Sequence, residues 1–362
     1  MVNSEGLRAY ELQNDATVAL SATAQADDGV AVGDQAQFVA RSYAQLPPLT
    51  NQLAEVNALG QRVDAMRTAP PLDDFAGPIL FEGQAAAELC ARLLPESLVS
   101  RRQPLVEDEA ASRWMSGNSA KESLRRKIGR RVMASAFQVI DDPTVEAFEG
   151  TPLMGYARLD LEGVRPERVE LVKDGILKTL LTTRTPDKKL PVSNGHAVSY
   201  TYAMGAAMPK AGVTSLIVRY THGLDPAALR ARLVQAVKDQ EVECGLRVCR
   251  LPPEGLSLNG TSARSESDDE DPVIREPLYV FCVYADGREK LARVVSLKGL
   301  SFAAFKDVLA AGNNPFVYNF QGRDGAQTVV APSLLFEEGI VVAPERNVAK
   351  PPLLASPLLA AP

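Results

Sequence analysis

The sequence predicts an α+β protein: a partial N-terminal strand-and-helix domain over residues 1–75, a larger strand-rich C-terminal domain over 76–343, and a Pro/Leu-rich tail over 344–362. Three observations carry this expectation. Short apolar runs recur along the chain, and some are joined by Asp-Gly, a dipeptide that closes tight hairpins. Helical stripes are confined to a few separate segments. The third is Gly77-Pro78-Ile79-Leu80-Phe81-Glu82-Gly83-Gln84, a compact apolar strand that runs straight into a helix.

In chain order, Leu7 to Leu12 and Thr17 to Ala24 read as strands, with Asp27-Asp28-Gly29 as a turn and Phe38 to Tyr43 as a further strand. Thr50 is the expected N-cap of a helix to Met66, whose stripe is Leu49, Leu53, Val56, Leu59, Val63 and Met66. Pro70-Pro71 closes it. Glu82 then falls at the first turn of the junction helix, where the helix dipole favours a negative charge and backbone amides can satisfy it. That helix runs from Gln84 to Leu94 and turns Ala85, Ala86, Leu89, Cys90 and Leu93 inward, until Pro95 stops it.

Farther on, Val139 to Pro143 reads as a strand ending in a turn, and Glu170 to Leu180 as a hairpin closed by Asp174-Gly175. Asp225-Pro226 starts a helix whose buried side is Leu229, Leu233, Ala236 and Val237. Tyr279 to Ser296 is a hairpin around Asp286-Gly287. Ser301 is expected to cap a helix ending at Gly312, with Phe302, Phe305, Val308 and Leu309 inward, before late strands at Thr328 to Ala331 and Leu334 to Val342.

Composition narrows the function classes. With 362 residues, 46 % hydrophobic and 23 % charged, the chain can bury a sizeable core, and its net charge of −6 argues against nucleic acid as the main partner. The basic segment Lys121 to Arg131 lacks interleaved aromatics and reads as a solvated face. No apolar run reaches the roughly 18 residues of a membrane span. The first residues lack a basic n-region and an apolar h-region, so a cytoplasmic location is expected, although the chain starts as though the beginning of its first domain were missing. Cys90, Cys244, Cys249 and Cys282 sit in apolar or strand-like contexts and read as free thiols.

The junction at Phe81-Glu82 resembles that of the TldD/PmbA family of bacterial metallopeptidase-like proteins. Colinear with it are Asp141-Asp142-Pro143, Asp160-x-Glu162-Gly163-Val164, the Val172-x-Asp174-Gly175 hairpin and Ser193-x-Gly195. In catalytic members the junction reads His-Glu-x-x-x-His. The resemblance implies that Phe81 replaces the first zinc-binding His and Ala86 the second, while Glu82 keeps the Glu. The third zinc ligand of the family is a Cys in a Cys-Gly-Lys-x-Gly-like turn, and Gln321-Gly322-Arg323-Asp324-Gly325 puts Gln321 there. The ligands are missing and the scaffold is kept, so no cofactor is expected here, against zinc in the catalytic members.

The implied role is a metal-free, non-catalytic subunit or homologue that shapes a chamber for extended peptide. It would pair as a homodimer or with a metal-binding TldD-like subunit. Glu82 is the only remnant of catalysis, with Gln84, His196 and Gln321 as peptide contacts. Two alternatives stand beside it. One is an active zinc metallopeptidase with a rearranged site, drawing on His196, His222 or a Cys, or with a metal supplied by a partner. The other is a self-associating structural protein unrelated to proteolysis. Asp160 and Glu162 share a face if their segment is extended and otherwise stabilise a turn.

Overall fold

Period-2 alternation around Phe81 organises the molecule: Ile79 and Phe81 point into one apolar cluster, and Leu80 into another on the opposite side. A computed structural model of the chain describes residues 1–10, 14–72, 74–100, 124–185, 189–203, 206–251, 274, 278–294, 296–322 and 325–342.

The N-terminal unit is a hairpin of β1 (Ala16–Gln25) and β2 (Ala31–Ala40), covered by helix α1 (Leu49–Thr68). Strand β3 (Asp74–Phe81) and helix α2 (Gln84–Leu93) form the junction. There follow β4 (Phe137–Asp141), the short β5 (Ala147–Phe148) and β6 (Thr151–Pro152), then β7 (Val169–Lys173) and β8 (Ile176–Leu177). Next come β9 (Ala197–Ala203), β10 (Ala206–Ala211), β11 (Ser215–Tyr220), helix α3 (Pro226–Asp239) and β12 (Cys244–Arg250). The chain continues through β13 (Leu278–Tyr284), β14 (Glu289–Val294), β15 (Leu297–Lys298) and β16 (Val308–Ala311). It closes with β17 (Phe316–Gly322), β18 (Gly325–Ala331) and β19 (Leu334–Val342).

Two mixed sheets hold the core. One has the order β17-β18-β11-β4-β7-β8; the other runs β14-β13-β12-β3-β19-β15, with β16 also on β19. One continuous cluster joins Phe81, Leu246 and Val280 of the second sheet with Phe137, Val139, Leu216 and Val329 of the first. Phe305 bridges them edge-on, packing against both Phe137 and Phe336. Helix α2 belongs to this core, with Ala85 to Cys90 all buried, including Glu88, which is paired with Arg92 at 2.8 Å. Its burial is wider than the single inward face expected, and Leu93 is only partly buried. Helix α3 covers the other side of the seven-stranded sheet, where Leu229 and Leu233 meet Leu80, Val283 and Leu335. The mixed strand-rich architecture is the α+β class expected.

Several local expectations are corrected. Residues 1–10 hold an isolated bridge between Val2 and Arg8 and no strand, and Leu12 lies outside the described residues. Phe38 completes β2 instead of opening a third strand, because all of β2 pairs with β1 in one unbroken register. Helix α1 begins at Leu49 after Pro48, with no side-chain cap from Thr50. Only Leu59, Val63 and Met66 of its stripe are buried. The helix expected after Ser301 is a short 3-10 turn, Phe302–Lys306. Val308 leaves it to pair with Phe336, and Ser301 Oγ accepts from the Ala303 amide. The segment holding Asp160 and Glu162 is a turn: Asp160 Oδ1 accepts from the Glu162 and Val164 amides. The acidic stretch 261–272, residues 121–123 of the basic segment and the tail lie outside the described residues.

Candidate functional site

The end of β3 and the start of α2 form one wall of a cleft of about 370 Å³, which α3, β12 and the start of β17 complete. Gly83 makes the turn possible. Its φ of 51° and ψ of −116° lie where a Cβ is strained, and its amide donates to Ser333 Oγ at 3.1 Å. Because β3 alternates, Glu82 leaves the sheet on the α3 side, as Leu80 does. Phe316 stands at the mouth, 38 % exposed.

Glu82 does not find the backbone amides expected of a helix-terminal carboxylate. Arg230 of α3 grips it from Nε to Oε1 at 2.8 Å and from Nη2 to Oε2 at 3.2 Å, and Arg247 Nη1 of β12 donates to Oε2 at 2.9 Å. Burial pushes the carboxyl's pKa up, but the two guanidiniums outweigh it and hold the group below the usual carboxylate range. Arg247 is itself shared with Glu289 and lies over the Phe281 ring, 4.6 Å from its centroid. It also donates to Cys249 Sγ at 2.8 Å, and burial raises that thiol to about 11. A carboxylate so engaged is a poor general base, and Cys249 is a poor nucleophile.

Gln84 lines the same cleft, but its amide is occupied by backbone. Nε2 donates to the Leu251 carbonyl at 2.9 Å, and Oε1 accepts from the Leu251 amide at 3.1 Å. Gln321 is exposed on β17, five residues or about 17 Å along the strand from Phe316, with its amide 3.4 Å from Gln37 Oε1 of β2. His196 is fully buried, away from any surface a peptide could touch. Its Nε2 meets Asp141 at 3.2 Å, and its Nδ1 lies 2.9 Å from the Asn194 carbonyl, the loop-carbonyl contact its sequence context suggests. Asp141, also fully buried, accepts from the Thr214 amide and hydroxyl and from the Ser215 amide. The structure therefore brings Glu82 and Gln84 together and leaves His196 and Gln321 elsewhere. His222 is exposed in the turn after β11 with a φ of 64°.

Sequence reasoning missed Arg230, Arg247, Arg250 and Ser333, and had Cys249 only as a free thiol. Arg247 had a signal: a lone charge between Leu246 and Val248 in an apolar strand needs a buried partner. Arg250 pairs with Glu55 of α1 at 2.6 Å, beside Arg62, which holds Asp34 and Glu55. These ion pairs tie the N-terminal unit to β12.

The positions that would offer zinc ligands do not fit a metal. Phe81 is fully buried and packs edge-on against Phe336 with centroids 6.0 Å apart, Ala86 is buried in α2, and Gln321 lies on another strand. Among the described residues no group of three or more His, Cys, Asp or Glu side chains is placed to hold a metal ion.

Residues 78–237 match the family described as PmbA/TldA metallopeptidase C-terminal domain. Over 138 residues, 34 % of this chain and 29 % of the relative, the chain is 31 % identical to the metalloprotease PmbA homolog of Haemophilus influenzae. Over 76 residues, 21 % of this chain and 16 % of the relative, it is 37 % identical to a metalloprotease of Archaeoglobus fulgidus. The crystal structure of TldE from Thermococcus kodakarensis superposes with a TM-score of 0.55 at 15 % identity, covering 91 % of this chain and 63 % of that one. The matched stretches span less than a third of either curated relative, and the chain spans under two thirds of that structure. A strand-to-helix junction enclosed by two mixed sheets places the chain in the α+β class of the solved structures it resembles. Over residues 78–237 the chain resembles the TldD/PmbA family.

Proposed function

We propose that this chain is a metal-free, non-catalytic member of the family, a pseudoenzyme that helps to shape a peptide-binding chamber in bacterial proteolysis or peptide processing. One observation carries the reading: at the junction both histidine positions are filled by buried apolar side chains, and the remaining Glu82 is neutralised by Arg230 and Arg247. A zinc-bound water needs ligands and a free base, and these residues supply neither. The cleft keeps an apolar side chain, Phe316, against which an extended peptide can pack. Hydrolysis would then belong to a metal-binding TldD-like subunit paired with this one, in the cytoplasm.

The test is elemental mass spectrometry on protein purified without chelator or affinity-tag metal, together with peptide hydrolysis by the chain alone and mixed with a metal-binding TldD-like subunit. The expected result is background metal, no hydrolysis alone, and altered rate or product pattern in the mixture. Stoichiometric zinc that survives dialysis, with hydrolysis by the chain alone, would overturn it.

A further inference from the structure

The cleft beside Glu82 is unbalanced in its hydrogen-bonding groups. Among the described residues its charged lining is one carboxylate, Glu82, and two guanidiniums, Arg230 and Arg250. The side-chain acceptors are spent: both Glu82 oxygens take N–H groups from Arg230 and Arg247, and the Gln84 oxygen takes the Leu251 amide. The donors are not. A guanidinium carries five N–H groups, and Arg230 commits only its Nε and one Nη2 hydrogen to Glu82. Its Nη1 has no acceptor among the described residues, and the side chain is 50 % exposed. Arg250 holds Glu55 through Nη2 at 2.6 Å, and its Nη1 is likewise without an acceptor there. Ser333 Oγ accepts from the Gly83 amide, which leaves its O–H free to donate.

We infer that the cleft selects peptides by a carboxylate, which Arg230 takes with the donors that Glu82 leaves over. A guanidinium can serve two carboxylates at once, one along its Nε edge and one at its Nη1–Nη2 end. Glu82 occupies the edge, and the end remains for the ligand. A peptide lysine or arginine would instead meet two guanidiniums and a carboxylate with no oxygen to spare, so basic peptides are disfavoured. The chain carries a net charge of −6, so this selectivity is local to the cleft and runs against the overall field. Phe316 offers the adjoining part of the peptide an apolar surface. Two sources supply the group: the free C-terminus of the peptide, or an Asp or Glu side chain within it. Such selectivity presupposes the peptide-binding role proposed above and adds to it the chemical class of the peptide.

The test is isothermal titration calorimetry of the full chain with N-acetylated peptides that share one neutral sequence of Gly, Ala, Ser and Phe. One ends in a free carboxylate and one in an amide; two more end in an amide and carry an internal Glu or an internal Lys. The free-carboxylate form, the Glu form or both should bind at least about tenfold more tightly than the neutral amide, and whichever does so identifies the source. The Lys form should bind no better than the neutral amide. R230K keeps a positive charge for Glu82 but lacks the planar fork that serves a second carboxylate. It should cut the preference to about threefold or less, with an unchanged circular dichroism spectrum. If no peptide binds, the peptide-binding role fails and the selectivity with it. Equal binding of all four, tightest binding of the Lys form, or a full preference kept by R230K would overturn the selectivity alone and leave the peptide-binding role standing.

Discussion

At Glu82 two guanidiniums take the place of solvent, and that exchange has a measurable size. Glu82→Gln leaves Arg247, only 10 % exposed along its side chain, short of a charge partner and should cost about 1–3 kcal/mol of stability in urea unfolding. The pH dependence has a definite sign. The folded carboxyl titrates below its ordinary value of 4.5, so its stabilisation is complete above about pH 4.5 and is lost as pH falls through the folded value. The variant should therefore show a shallower acid limb than wild type. Next to it, Gly83→Ala meets open space, with Phe316 3.8 Å from the added Cβ, yet should still cost about 1–3 kcal/mol through its backbone angles alone. Restoring the motif tests the fit of the site. F81H/A86H should destabilise the fold by roughly 3–5 kcal/mol, the cost of a disrupted core, seen as a lower Tm that added zinc does not restore. The position of Glu82 was legible in sequence because the strand-to-helix junction is local. Its partners were not, since Arg230 and Arg247 lie 148 and 165 residues away and no local pattern reports them.

Among the elements, α3 shows the most complete agreement between sequence and structure. Asp225 accepts from the Ala228 amide at 2.9 Å, Pro226 occupies the first turn, and Leu229, Leu233, Ala236 and Val237 are buried as their spacing predicts. Asp225→Ala should cost about 1 kcal/mol, read as a shift in the urea midpoint with an unchanged slope. The stretch after Ser301 failed for an equally physical reason. Phe302, Phe305, Val308 and Leu309 keep helical spacing, but β19 offers Val308 a ladder partner in Phe336, and tertiary pairing overrides propensity. Helix α1 was placed correctly, yet half its stripe stays exposed, because periodicity reports which residues share a face and not how far the covering sheet extends. The four-residue ion cluster of Asp34, Glu55, Arg62 and Arg250 clamps this unit to β12. Arg250→Ala should speed limited proteolysis of residues 16–68 while leaving the core resistant.

For the molecule as a whole, single strands such as β3, β4 and β19 were legible in the sequence. Their order was not, because β3 takes β12 as a parallel neighbour and β19 as an antiparallel one, and neither choice leaves a trace near Ile79-Leu80-Phe81. That placement has a consequence for the chain's birth. Phe81 pairs with Leu334, so on a ribosome adding about 5–20 residues per second the central strand waits some 13–50 s for its second neighbour. For most of that interval, until β12 has emerged, its most apolar run has no strand to pair with. Nascent chains halted before β19 should therefore bind holdase chaperones and be cut readily near residue 80, and released full-length chains should resist. Refolding from urea should likewise be slow, on the order of milliseconds to seconds, as contacts so distant in sequence demand.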